Sequence, residues 1–320
     1  MPTLRTHFPR TGSAWIRLGS QLTWITVLAS QLLLSGCQST TPKKPPSDTS
    51  IAIISSNNTR IFKEVALGLK NKLGKQTQVS YLTGNARKDQ RVIQQLNSSD
   101  RKQVVTIGLR ASRLGKQLTN KQVVFSQVFN YRQYGLVTPF RKGVTAVPPP
   151  GQVFRKWKQL APNLKTVLSI TGKLHGQMIK EAQLEARRYG IRLKHLVVRS
   201  DKEFIYTYKQ NVGKYQGLWL LPDNRVLSRK VIHNIMSFSI KNGIQVMVFS
   251  PQLLQIGGLV SATAVSDDVV EQVYKRLQDG SGQFELPGPA VTALTRVDFR
   301  VNDVVARQLG LAKRNNRKKY

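Results

Sequence analysis

Eight short runs of aliphatic and β-branched residues recur along this chain, with amphipathic stripes between them, and no other feature restricts the fold as tightly. The first four are Ile51–Ile54, Val79–Leu82, Val104–Ile107 and Val123–Phe125; the second four are Val167–Ile170, Leu193–Val198, Gly217–Leu221 and Val246–Phe249. Strands that are apolar nearly throughout are covered on both faces, and strands that alternate with helices form parallel sheets. The intervening stripes have helical spacing: Ile61, Val65, Leu69 and Leu73 fall four apart, as do Met178, Ala182 and Ala186, while Val153, Trp157 and Leu160 follow a three-or-four spacing. Ser228 reads as an N-cap, as does Ser266 before Asp267 and Asp268, and Gly74 reads as a C-cap. The class is α/β.

The two sets of strands are separated by the irregular stretch Asn130–Gly151, which holds Pro139, Pro148, Pro149 and Pro150. Two βα halves in tandem predict two doubly wound parallel-sheet lobes, with a cleft built from the loops at the strand C-terminal ends. Roughly 280 residues after the N-terminal segment are enough for two such lobes.

That N-terminal segment carries Arg5, Arg10 and Arg17, then the apolar stretches Trp24–Ala29 and Leu32–Leu34, then small residues, the layout of an export signal. Leu34-Ser35-Gly36-Cys37 contains the only cysteine of the chain and resembles the lipobox of bacterial lipoproteins. The resemblance implies cleavage after residue 36 and acylation of Cys37, so that the lipid bilayer becomes a partner. Two or more acyl chains, at about 0.8 kcal/mol per buried methylene, anchor a protein stably. The alternative is an uncleaved span from Ile16 to Gly36, but Ser20, Gln21, Thr23, Ser30 and Gln31 dilute it. Residues 37–49 are polar and proline-rich, an extended spacer of about 3 Å per residue. Gln38 after the cysteine points to the outer membrane by the sorting rule of Gram-negative lipoproteins, with the inner membrane as the alternative.

Fifty Lys and Arg stand against 16 Asp and Glu, a formal net charge of +34. Such a field attracts phosphate polymers, yet an exported chain leaves the compartment that holds nucleic acid. The bases are also spread over nearly every helix, and only Lys313–Lys319, within a tail of residues 313–320, forms a block. Anionic envelope polymers and lipid headgroups are the better-matched counterions, and nucleic acid is not an expected partner.

Gly217-Leu218-Trp219-Leu220-Leu221-Pro222-Asp223-Asn224-Arg225-Val226-Leu227-Ser228, followed by Phe238–Ser250, resembles the ABC-transporter substrate-binding family related to the tryptophan-uptake binding proteins. Gly143-Val144-Thr145, Pro148–Pro150, Leu160-Ala161-Pro162, Ile256–Val260 and Val301–Leu311 extend the resemblance over about residues 50–312. It implies a type 1 periplasmic-binding fold with three crossovers: lobe one of 50–134 plus 251–280, and lobe two of 135–250 plus 281–312. It also implies hinge closure on a small-molecule ligand and an ABC permease as partner.

Strand ends supply the ligand-binding candidates. Ser55, Ser56, Asn57, Asn58 and Thr59 follow the first strand and lead into a helix N-terminus, a place suited to an anion. Arg110 and Ser112 follow the third strand. Lys173, Asp223, Asn224 and Ser250 occupy the matching loops of the second half. Arg110 and Lys173 would favour an anionic group and Asp223 an ammonium, as in an amino acid. The structural alternatives are helix caps for Ser55 and Asn57, a solvated Arg110, and an Asx-turn at Asp223. No clear aromatic stands in those loops; Tyr131, Tyr134 and Phe204 are the unplaced rings.

Enzyme signatures are missing. Gly68–Lys75 departs from a phosphate loop in glycine spacing and in having Gln76 after the lysine. No nucleophile elbow occurs, and His175, His195 and His233 are far apart with no cysteine to join them, so neither a metal site nor a cofactor is expected. A non-catalytic solute receptor is the leading expectation. The alternative is an outer-membrane lipoprotein that uses the same fold as a scaffold for cell-wall machinery or anionic polymers. Cys37→Ala is expected to abolish labelling by radioactive palmitate and to leave an uncleaved precursor; labelling that survives the substitution would place the acyl chain elsewhere.

Overall fold

Residues 51–311, apart from Asn130 and Asn224, are described by a computed structural model; the signal, Cys37, the spacer and the basic tail lie outside them. Each of the eight apolar runs forms a strand, and four further strands complete two six-stranded sheets. The first sheet contains β1 (Ala52–Ser55), β2 (Gln78–Tyr81), β3 (Gln103–Ile107), β4 (Gln122–Ser126) and β5 (Arg141–Val144). The second contains β6 (Thr166–Thr171), β7 (Arg192–Val197), β8 (Gly217–Trp219), β9 (Gln245–Val248) and β10 (Val260–Ala264). β11 (Val291–Thr292) then joins the first sheet and β12 (Val297–Val301) the second. The orders are β11-β5-β4-β3-β1-β2 and β12-β10-β9-β8-β6-β7. Every pairing is parallel except that of β10 with β12.

Sheet membership departs from the expected lobe boundaries at three places. β5 pairs with β4, so the first sheet runs past residue 134. β10 pairs with β9, so the second sheet runs past residue 250. β11 pairs with β5, which returns part of 281–312 to the first sheet. In each case the chain adds an outer strand before it leaves a sheet. The crossings are therefore β5 to β6, β10 to β11 and β11 to β12, three passages in all.

Helices cover the sheets where the apolar stripes predict them. α1 (Arg60–Leu73) buries Val65, Ala66 and Leu69, and Gly74 at φ 94° closes it by donating its N–H to Lys70 O. α2 (Ala86–Asn97) and the short α3 (Leu109–Leu114) complete the first half. α4 (Pro150–Leu160) starts with proline at its first position, where the missing N–H has no consequence, and buries Val153, Phe154 and Trp157. α5 (Gly176–Arg188), α6 (Asp201–Asn211) and α7 (Arg229–Lys241) follow. Ser228 caps α7 as its sequence predicts, accepting the Val231 N–H at 3.3 Å. Ser266 does not cap; it is the first residue of α8 (Ser266–Gly280), and its hydroxyl donates to Glu64 Oε2 at 3.0 Å. That bond ties α8 to α1, which approach closely because Gly68 has no Cβ to meet Val270. α9 (Asp303–Gln308) ends the described chain, with Val305 and Ala306 in the core of the second lobe.

Glycine marks two places where an aromatic ring fills the space beside a strand. Trp157 is fully buried, donates from Nε1 to Gln245 Oε1 at 2.8 Å, and lies 2.8 Å from where a Cβ of Gly217 would be. Phe125 lies about as tightly on Gly143, 2.1 Å from such a Cβ. Gly143→Ala is expected to destabilise the fold by about 1–3 kcal/mol through overpacking, and adding Phe125→Leu to recover part of that loss in urea unfolding. Equal stability of Gly143→Ala and wild type would show that the ring moves aside freely.

Candidate functional site: the cleft between the lobes

In each sheet the strand order reverses between the first and third strands, and the loops leaving the C-terminal ends there diverge. In the first lobe those loops follow β1 and β3, and Ser56 stitches them together. Its hydroxyl donates to Ile107 O and accepts the Ala111 N–H, both at 2.9 Å. Gly108, at φ 83°, must be glycine, since Ser56 Oγ and the Phe62 ring occupy the place of a Cβ. Ser55 donates to Asn57 O at 2.7 Å, and Asn57 Oδ1 accepts the Thr59 N–H at 3.0 Å and the Thr59 hydroxyl at 2.7 Å. Buried Ser112 bonds Gly108 O and Thr106 Oγ1 at 2.8 and 3.0 Å. Ser56, Asn57 and Arg110 come together in a hollow of about 780 Å³ whose walls belong to the first lobe alone. There Arg110 donates to Gly84 O at 2.9 Å and lies 3.4 Å from Asp89. Asn58 is exposed.

In the second lobe the corresponding loops follow β6 and β8 and are locked by Asp223, which is buried. Its carboxylate accepts the Gly172 N–H at 2.9 Å and two bonds from the Arg225 guanidinium at 2.8 Å, and lies 3.4 Å from His175 Nδ1. Burial resists ionisation of this carboxyl, but His175, Arg225 and the Gly172 N–H together outweigh it and hold its pKa well below the usual carboxylate range. Close by, His195 Nε2 meets Thr171 Oγ1 at 2.8 Å, and burial, then the neighbouring His175, lowers the His195 pKa. Lys173 is exposed on the 3₁₀ turn Lys173–His175. Asn224 lies outside the described residues.

A cavity of about 90 Å³ lies where both lobes and a crossing meet. Ile61, Gln127 and Phe129 come from the first lobe, Val147 and Pro148 from the crossing, and Trp219–Pro222, Val248, Phe249 and Ala262–Ala264 from the second sheet. Among the described residues no ionisable side chain lines it. Charges stand at its two flanks. On one, a hollow of about 280 Å³ holds Tyr131, Met178, Arg132 and Glu181, the last two 3.8 Å apart across the lobes. On the other, a hollow of about 790 Å³ holds Thr59, Arg60, Glu64, Ser250, Asp298 and Arg300.

Of the sequence candidates, the structure brings only Thr59 and Ser250 together across the lobes; neither Arg110, Lys173 nor Asp223 lines the central cavity. The wall has aromatics that the strand-end reading did not place there. Phe129 is 44 % exposed, Trp219 is the last residue of β8, and Phe249 ends the apolar run Val246–Phe249. For Phe249 an aromatic at the last position of an apolar run was the available signal; Trp219, in the middle of the run Gly217–Leu221, and Phe129, beyond the run Val123–Phe125, gave none. Phe204 is fully buried in the second-lobe core, and Tyr134 lies under Arg113.

Asp223→Asn is expected to destabilise the protein by about 1–3 kcal/mol at neutral pH, because the buried carboxylate's bonds to the Arg225 guanidinium are lost or weakened. The carboxyl pKa is lower in the folded state, so its contribution is present above the unfolded value near 3.9 and is lost as the pH falls below it. His195 adds a loss that begins near its unfolded value of about 6.5. Denaturation followed from pH 7 to 3 should therefore steepen below about 4 in wild type and flatten there in Asp223→Asn; parallel curves would show that the carboxylate is not coupled to folding.

No protein-family model and no curated protein matches the sequence. Among solved structures the chain is similar to the ligand-free, open form of a substrate-binding protein with adhesive properties from Clostridium difficile, at 17% identity and TM-score 0.64, covering 84% of this chain and 97% of that one. It is also similar to an ABC domain in complex with L-Trp from Streptococcus pneumonia, at 19% identity and TM-score 0.58, covering 82% and 95%. A glucose-galactose binding protein from Geobacillus stearothermophilus is similar at 14% identity and TM-score 0.50, covering 80% and 98%. Identities this low establish the fold: two parallel-dominated α/β lobes of the type 1 periplasmic-binding kind.

Proposed function

We propose that the protein is a lipid-anchored solute receptor facing the periplasm, which closes its lobes on a small molecule and delivers it to an ABC permease. The observation that carries this reading is the cavity that both lobes and a crossing segment build together. A ligand that touches both walls is bound better by the closed arrangement than by the open one, and only such a difference drives closure. The crossings serve as hinges, being short segments between rigid lobes.

The lining refines what such a ligand looks like. A wall without ionisable groups cannot compensate a full charge, so the part that enters is apolar or neutral. A charged group of an amino-acid-like or anionic ligand would stay at a flank, beside Arg60, Glu64, Asp298 and Arg300 or beside Arg132 and Glu181. The loop residues Ser55, Ser56, Asn57, Ser112 and Asp223 act in this reading as the frame that holds the walls, with Thr59 and Ser250 at one flank. No catalytic step is assigned.

The excess positive charge supports a second reading, an outer-membrane scaffold that binds acidic wall polymers. Thermal unfolding of the mature protein, purified from membranes in detergent, separates the two. With amino acids, sugars and small anions, a receptor gains stability from at least one compound, since a ligand that binds only the folded form raises its melting temperature. Silence across the panel, with salt-sensitive retention on peptidoglycan sacculi, would instead favour the scaffold.

A further inference from the structure

Gln127 breaks two rules of protein architecture at once, and does so in the wall of the cleft. It follows the last residue of β4 with φ 58°, in the left-handed region that favours glycine. Among the described residues only Asn120 is another non-glycine with positive φ, and asparagine tolerates that conformation through local hydrogen bonds, as glutamine does not. The side chain is also more than nine-tenths buried, and its Nε2 has no hydrogen-bond partner. Buried amides are nearly always paired. Glycine here would relieve the backbone and leucine the idle donor, and a fold that needed neither feature would have no use for this residue. Strain and unmet polarity concentrated at one position in a cavity mark sites that bind something.

We infer that the Gln127 carboxamide is the specificity-determining contact on the first-lobe wall, and that it recognises an uncharged ring bearing an amide edge, a carbonyl beside an N–H. The inference rests on the receptor reading above. The carboxamide carries a donor beside an acceptor and, among the described residues, bonds through neither, so its complement is another amide edge. The ring follows from Phe129, Trp219 and Phe249, three aromatic side chains that border the same space. Neutrality follows from the lack of any ionisable side chain there.

Two measurements on the mature protein in detergent test this. The first is stability without ligand: Gln127→Gly should melt at a higher temperature than wild type, and Gln127→Leu at no lower one, because the amide is strained and unpaired. A lower melting temperature for both would make Gln127 an ordinary structural residue and overturn the proposal. The second is titration with nicotinamide, benzamide and uracil, followed by intrinsic fluorescence, since Trp219 stands in the wall. At least one should bind wild type, and Gln127→Leu should weaken it tenfold or more. Binding unchanged by Gln127→Leu overturns the assignment. If all three neutral rings fail, the assignment falls; the receptor reading then stands when L-tryptophan or D-galactose raises the melting temperature, and falls only with silence across the whole panel of amino acids, sugars and small anions.

Discussion

Both faces of each sheet must be shielded from water, and the remaining architecture follows from that. Val104, Val105 and Val124 in the first sheet, and Val167, Leu168 and Leu218 in the second, are almost wholly buried, though successive residues in a strand point to opposite faces. Only helices laid on both sides meet that demand, so each strand is followed by a crossover and the pairings come out parallel. Parallel strands send all their C-terminal loops to one edge. Two sheets with that edge in common then place their loops face to face, and a cleft results without any residue being chosen for binding.

The chemistry of the cleft is divided by depth. Its centre is built by strand ends and a proline-containing crossing, and is apolar; its flanks carry ion pairs. Polar loop residues work mainly on the protein itself. Ser56 binds one loop to another, and Asp223 gathers a backbone N–H, a guanidinium and an imidazole. Such knots keep the walls rigid, so that the closure proposed above would move whole lobes and not single loops.

Much of the fold was legible because burial on two faces writes continuous apolar runs into the sequence. β5, with Arg141 and Lys142, and β12, with Asp298 and Arg300, escaped because strands at or next to a sheet margin are only partly covered and read as polar. The lobe limits slipped for the same reason. The site was harder to read. A loop position does not reveal whether a hydroxyl or carboxylate points to a ligand or to its own backbone, and for Ser55, Ser112 and Asp223 the partners are internal. Gln127 left no signal at all, since an isolated glutamine after an apolar run is commonplace until its backbone angle is known.

The three passages between sheets also govern when the chain can fold. Neither lobe is a continuous stretch: the first sheet awaits β11 at Val291–Thr292, and the second awaits β12 at Val297–Val301. Contacts between residues so distant in sequence form slowly, and here the last of them are available only once residues 297–301 have been made. For a protein read as exported, that delay has a use. In the export proposed above, the growing polypeptide would stay loose while it approaches the membrane, and its compact form would be reached on the far side.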